Sequence, residues 1–127
     1  MTETGKVTGI GGLFFKTDDV DGTKEWYRRV LGIQEDQPGY GILFPYDQDK
    51  DGLKAYSVFS LFKSDTDYLK PGTQEFMLNF RVSNLENLIE KIKAQNVDVE
   101  GPVAEEGCGK FAWIVDPNGI KLELWEQ

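Results

Sequence analysis

Residues 11–33, GGLFFKTDDVDGTKEWYRRVLGI, and residues 76–102, FMLNFRVSNLENLIEKIKAQNVDVEGP, carry the same pattern twice. In the first, the strand-like run Gly12 to Thr17 leads to Asp19 or Asp21 as helix N-cap. Thr23, Trp26, Tyr27, Val30 and Leu31 then recur at helical spacing until Gly32 stops the helix. In the second, the run Phe76 to Val82 leads to Asn84 as cap. Leu85, Leu88, Ile89 and Ile92 make the stripe, and Asn96 takes the left-handed stop position. Laid on each other, Phe15 meets Phe80, Lys16 meets Arg81, Asp19 meets Asn84 and Val20 meets Leu85.

Each helix is followed by further β-type sequence: Gly41 to Phe44 and Ala55 to Lys63 in the first half, Lys110 to Val115 and Ile120 to Trp125 in the second. Asp116-Pro117-Asn118-Gly119 puts proline at i+1 and glycine at i+3 of a turn, so the last two strands form a hairpin. The polar stretch KSDTDYLKPGTQ, residues 63–74, joins the halves. The chain is therefore an α+β single domain over residues 1–127, with repeat one at about 7–63, a linker at about 64–74 and repeat two at about 75–127. Repeated sheet-forming units cannot satisfy their own strand edges, so the halves pair or pack together and leave a concavity between them.

Composition narrows what that concavity does. With 22 acidic and 14 basic residues among 127, the net charge of −8 repels phosphate backbones and anionic lipid, which argues against nucleic acid and membrane partners. No apolar run approaches the roughly 20 residues needed to span a bilayer. The first residues, Met-Thr-Glu-Thr-Gly-Lys, lack a signal-peptide profile, and the single cysteine, Cys108, has no internal disulfide partner, so a cytoplasmic location is expected. There is no histidine, which removes the commonest ligand for zinc, iron and copper.

The two repeated stretches, together with GKFAWIVDPNGIKLELWE at residues 109–126, resemble the glyoxalase, bleomycin-resistance and extradiol-dioxygenase group, the vicinal oxygen chelate superfamily. The resemblance covers nearly the whole chain, most specifically in Trp26-Tyr27 with Leu31-Gly32 and in the Asp116–Gly119 turn followed by Leu122-Glu123-Leu124-Trp125. It implies two βαβββ repeats forming a glyoxalase-like mixed-sheet half-barrel cleft, commonly as a homodimer. Metal-using members of the group hold a divalent ion with one side chain on the first and last strand of each repeat. The corresponding positions here are Gly12, Ser60, Met77 and Glu123, of which only Glu123 is a good ligand.

Strand alternation completes the expected lining. With Glu123 inward, Lys121 and Trp125 share its side; Met77, Asn79 and Arg81 face in from the matching strand, and Phe14, Lys16, Ser60 and Phe62 follow by repeat symmetry. Phe111 and Trp113 are placed with Leu122 and Leu124 on the helix side. Trp26 and Tyr27 are read as core, and Tyr40, Tyr46, Tyr56 and Tyr68 as rim. A carboxylate in such a lining needs a partner, so Glu123 is either a catalytic base or ligand acceptor, or a structural tie to Lys110, Lys121 or Arg81. Lys16, Asn79 and Arg81 suit a carboxylate or phenolate on the ligand.

The leading expectation is a metal-independent, bleomycin-resistance-like binder of a small organic molecule. A metal-dependent lyase or isomerase similar to glyoxalase I, with a divalent ion at Glu123, is the alternative, and whether the chain is an enzyme stays open. A third reading has the cleft filled by side chains and the chain acting in assembly. Asp47, Asp49, Asp51 and Gly52 imitate the start of a calcium loop, but Val58 stands where the bidentate glutamate belongs, which favours a solvated hairpin. Cys108, between two glycines, has no histidine to activate it and is read as incidental.

Overall fold

The computed structural model describes residues 4–31, 33, 42–48 and 54–127. The elements are β1 (Lys6–Thr17), α1 (Val20–Leu31), β2 (Ile42–Gln48), β3 (Lys54–Lys63), β4 (Phe76–Ser83), α2 (Leu85–Lys93), β5 (Glu100–Glu105), β6 (Gly109–Val115) and β7 (Lys121–Glu126). They form one seven-stranded mixed sheet in the order β2-β3-β1-β4-β7-β6-β5. In each half the first strand runs parallel to the last, β1 with β3 and β4 with β7, and the halves join antiparallel along β1 and β4. Strand β5, whose sequence has no clear alternation to announce it, pairs antiparallel with β6.

Both helix starts follow the sequence. The Asp19 side chain accepts from the backbone N–H of Gly22 at 2.9 Å, and that of Asn84 accepts from the N–H of Asn87 at 3.2 Å. The Glu126 carboxylate takes the next free amide, Leu85 N–H, at 2.9 Å. Asn96 has φ 63, the left-handed stop. Helix α2 buries Leu85 and Ile89 against Val82, Ala112 and Leu124, with Phe80, Leu88, Ile92 and Val99 around them, and this is the core of the second half.

Helix α1 is attached more loosely and buries none of its residues. Tyr27 packs on Phe59 of β3 with ring centroids 5.1 Å apart, whereas Trp26 is 47% exposed, so the core reading fails for Trp26. One residue is about 100° around a helix, so the face that puts Tyr27 on the sheet turns Trp26 to solvent.

The Asp116–Gly119 turn closes as expected. Asp116 Oδ1 accepts from the N–H groups of Asn118 at 2.7 Å and Ile120 at 3.0 Å, and Gly119 adopts φ 80. These backbone donors, Ile120 first, hold the Asp116 carboxyl below the usual range. The connector between the halves is fastened to this turn: Thr73 N–H and Gln74 N–H both bond to Gly119 C=O, and Leu69 is 1% exposed. No helix among the described residues is long and apolar enough to cross a membrane.

Candidate functional site

Glu123 lies in the middle of β7 and is 3% exposed. Register brings Asn79 of β4 beside it on one flank and Trp113 of β6 on the other. Asn79 Nδ2 donates to Oε1 at 2.6 Å; Trp113 Nε1 donates to Oε2 at 2.8 Å; Tyr68, from the connector, donates its hydroxyl to Oε2 at 2.5 Å. The carboxylate is thus solvated by neutral donors on three separate pieces of chain. None of the expected ties forms: Lys110 pairs with Glu86 at 3.3 Å, Lys121 Nζ donates to Tyr68 C=O, and Arg81 donates to Tyr56 C=O and to Gln127 Oε1.

Burial, then the neighbouring Glu123 charge, push the Tyr68 hydroxyl far above the ordinary tyrosine range, so it serves as a donor. Burial pulls the Lys121 ammonium below its usual value, against the opposing pull of Glu100 and Glu123. That ammonium lies 4.6 Å from the Tyr68 ring centroid and 5.5 Å from that of Trp113.

The register also corrects the hairpin reading. Phe111 stands opposite Trp125 and Trp113 opposite Glu123, so both lie on the Glu123 side of the sheet and not on the helix side; Phe111 lines the cleft, while Trp113 backs the carboxylate from outside the lining. Val115 and Lys121 are the last pair before the turn, and the odd number of residues between them keeps odd positions opposite odd positions.

Rings follow one another around the carboxylate. Phe14 stacks on Phe62 at 5.7 Å, Phe62 meets Tyr68 at 5.4 Å, and Tyr68 meets Trp113 at 6.4 Å. Trp113 stacks on Phe111 at 6.4 Å, Phe111 on Trp125 at 6.2 Å, and Trp125 returns to Tyr56 at 5.2 Å. In a flat sheet β3 and β7 would be roughly 14 Å apart, so the contact of Tyr56 with Trp125 shows how far the sheet curls.

The cleft, open to solvent on one side, has a volume of about 380 Å³. Of the residues expected from the sequence, Phe14, Ser60, Phe62, Asn79, Glu123 and Trp125 line it. Lys16 and Met77 are not among its lining residues, and Met77 is wholly buried. Arg81 does not line it either: its guanidinium sits 5.0 Å from the Trp125 ring centroid and is held by Tyr56 and Gln127. With Asn79 Nδ2 also given to Glu123, the three donors assigned to an acidic ligand are otherwise placed. Tyr56 and Tyr68 line the cleft, as do Leu43, Val58, Glu105 and Cys108, to which no sequence signal pointed; Tyr40, the side chains of Tyr46, Asp47 and Gln48, and the rest of the DQDKDG loop, residues 49–52, fall outside what the structure describes. Cys108 also anchors the wall, its C=O accepting from Trp125 Nε1 at 2.6 Å.

Glycine makes the floor possible. β1 bulges between Ile10 and Gly12, and a Cβ on Gly11 would collide with Asn79 Oδ1, itself buried without a hydrogen-bond partner. Of the metal-ligand positions implied by the resemblance, Gly12 has no side chain, Ser60 offers a hydroxyl and Met77 a buried thioether. At the fourth, both oxygens of Glu123 already face N–H or O–H donors. Among the described residues no three His, Cys, Asp or Glu side chains gather where they could hold one ion.

This architecture, with its paired half-sheets around a central cleft, is the glyoxalase-like, or vicinal oxygen chelate, fold. Solved structures of that class superimpose on the chain. Methylmalonyl-CoA epimerase of Streptomyces coelicolor, in a single-substitution variant complexed with 2-nitronate-propionyl-CoA, is 18% identical with TM-score 0.67, covering 96% of this chain and 99% of its own. Methylmalonyl-CoA epimerase from Mycobacterium tuberculosis is 21% identical with TM-score 0.59, over 99% and 92%. The 2,3-dioxygenase LapB from Pseudomonas sp. KL28 is 18% identical with TM-score 0.58, over 98% of this chain and 42% of that one. No family model matches the sequence, and no curated protein matches it.

Proposed function

We propose that the chain binds a small, partly aromatic organic molecule in the cleft around Glu123, without a bound metal ion. The supporting observation is a buried carboxylate ringed by aromatic side chains and held by the neutral donors Tyr68, Asn79 and Trp113. A carboxylate offers about four acceptor positions, so three donors leave about one for a ligand. An apolar, ring-lined cleft with few polar groups is the usual chemistry of a small-molecule site. Fold likeness at this level of identity carries no ligand with it, so the occupant is argued from this lining.

A divalent ion at Glu123 would have to displace those donors, and the other acid and thiol of the lining, Glu105 and Cys108, do not gather with Glu123 closely enough to hold one ion among them. Two measurements test the reading together. Elemental analysis of protein purified without chelator is expected to show no stoichiometric divalent metal, and tryptophan fluorescence is expected to respond saturably to small aromatic compounds, because Trp125 lines the cleft. A stoichiometric ion whose removal abolishes binding would overturn the metal-free reading. A spectrum indifferent to every compound would overturn binding itself. The homodimer implied by the resemblance is a separate proposal, tested by sedimentation equilibrium.

A further inference from the structure

The charges around the cleft are unevenly placed. Its lining carries two carboxylates, Glu123 on the floor and Glu105 at the rim, and no lysine or arginine among the described residues. The two nearby cations contribute to the wall from outside the lining: Arg81 lies against Trp125, and Lys121 against Tyr68 and Trp113. A ligand anion would therefore meet two carboxylates and the negative faces of aromatic rings, which repel it. The acceptors point the same way, since Glu123 keeps about one open position and Asn79 Oδ1 is buried without a donor.

We propose that the cleft takes a protonated organic amine with an aromatic or otherwise apolar body, its N–H donating to Glu123 and its charge facing the ring wall. This rests on the small-molecule reading above and adds the charge of the ligand. Rings within about 6 Å of a cation attract it, more strongly when water is displaced, and a buried carboxylate held by neutral donors gains a charged one.

The test uses the unaltered chain and three probes of similar size, 2-phenylethylamine, 2-phenylethanol and 3-phenylpropanoate, titrated near neutral pH by calorimetry and tryptophan fluorescence. The amine is expected to bind about tenfold more tightly than the alcohol, the carboxylate most weakly, and the gap is expected to narrow as salt is added. An alcohol or carboxylate that binds as well as the amine overturns the charge assignment and leaves the small-molecule reading standing. If all three fail to titrate, both fall. Glu123→Gln is expected to bring the amine down to the level of the alcohol. Because that residue is buried, Glu105→Gln gives an independent check: amine affinity falls about two- to threefold with the alcohol unchanged, and an equal effect on both probes, or none on either, counts against the proposal.

Discussion

Replacing Tyr68 with phenylalanine isolates one of the three donors to Glu123. The ring stays, and with it the contacts to Phe62, Trp113 and the Lys121 ammonium, while the hydroxyl 2.5 Å from Glu123 Oε2 is removed. Hydrogen bonds to a charged group contribute about 1.5–3 kcal/mol. The side of Tyr68 that faces solvent, leaving the residue 41% exposed, lets water partly replace the lost donor, which points to the low end, about 1.5 kcal/mol. For a domain of this size that is a fall in Tm of about 4–8 °C. Urea denaturation followed by tryptophan fluorescence reads it as a lower midpoint with unchanged slope. The same substitution in a Glu123→Gln background should cost about 1 kcal/mol less, since the charge that the hydroxyl serves is gone. Equal losses in the two backgrounds, or a loss under about 0.5 kcal/mol in the first, would refute the assignment of Tyr68 as a donor that supports the carboxylate.

Other substitutions test the floor and its charge. Gly11→Ala drives a methyl group into Asn79 Oδ1 and should destabilise by about 2–3 kcal/mol, whereas Gly9→Ala, with nothing within 4 Å of its added carbon, should stay within about 0.5 kcal/mol of the unaltered protein. Asn79→Asp sets a second carboxyl where an amide now donates to Glu123 at 2.6 Å. Like charges at that distance keep one proton bound in the folded state, so this variant should lose about 3 kcal/mol or more at neutral pH and recover progressively as pH falls from neutral to about 4, seen by thermal melts across that range. Tyr68 has a folded-state pKa above its unfolded value, so its contribution is complete below about pH 10 and is lost as pH rises past that point. Melts between about pH 8 and 11 should show a steeper alkaline decline in the unaltered protein than in Tyr68→Phe, and parallel curves would contradict the shift.

The repeated strand-helix units are legible in the sequence because capping residues and helical stripes are local signals. Asp19, Asn84 and Asn96 act as their chemistry suggests. Inward alternation on β1, β3, β4 and β7 is also legible once Glu123 is taken as inward, and it places Phe14, Ser60, Phe62, Asn79 and Trp125 on the cleft. What fails depends on pairing between strands. Phe111 and Trp113 are assigned the wrong face because register across the hairpin is fixed by the number of residues in the turn, not by strand composition. The partner of Glu123 is hidden for a related reason: Asn79, not Met77, stands opposite it on β4. Tyr68 registers only as a rim candidate, since nothing in a polar connector announces that its hydroxyl will turn inward.

The connector itself has a consequence for how the halves can be exchanged. It is sewn to the closing turn of the second half through Thr73, Gln74 and Gly119, buries Leu69, and delivers Tyr68 to Glu123. Two copies that traded halves could keep all of these bonds by opening before Tyr68. From there on the connector is fastened to the second half and would travel with it, carrying the donor to the acid wherever that half docks.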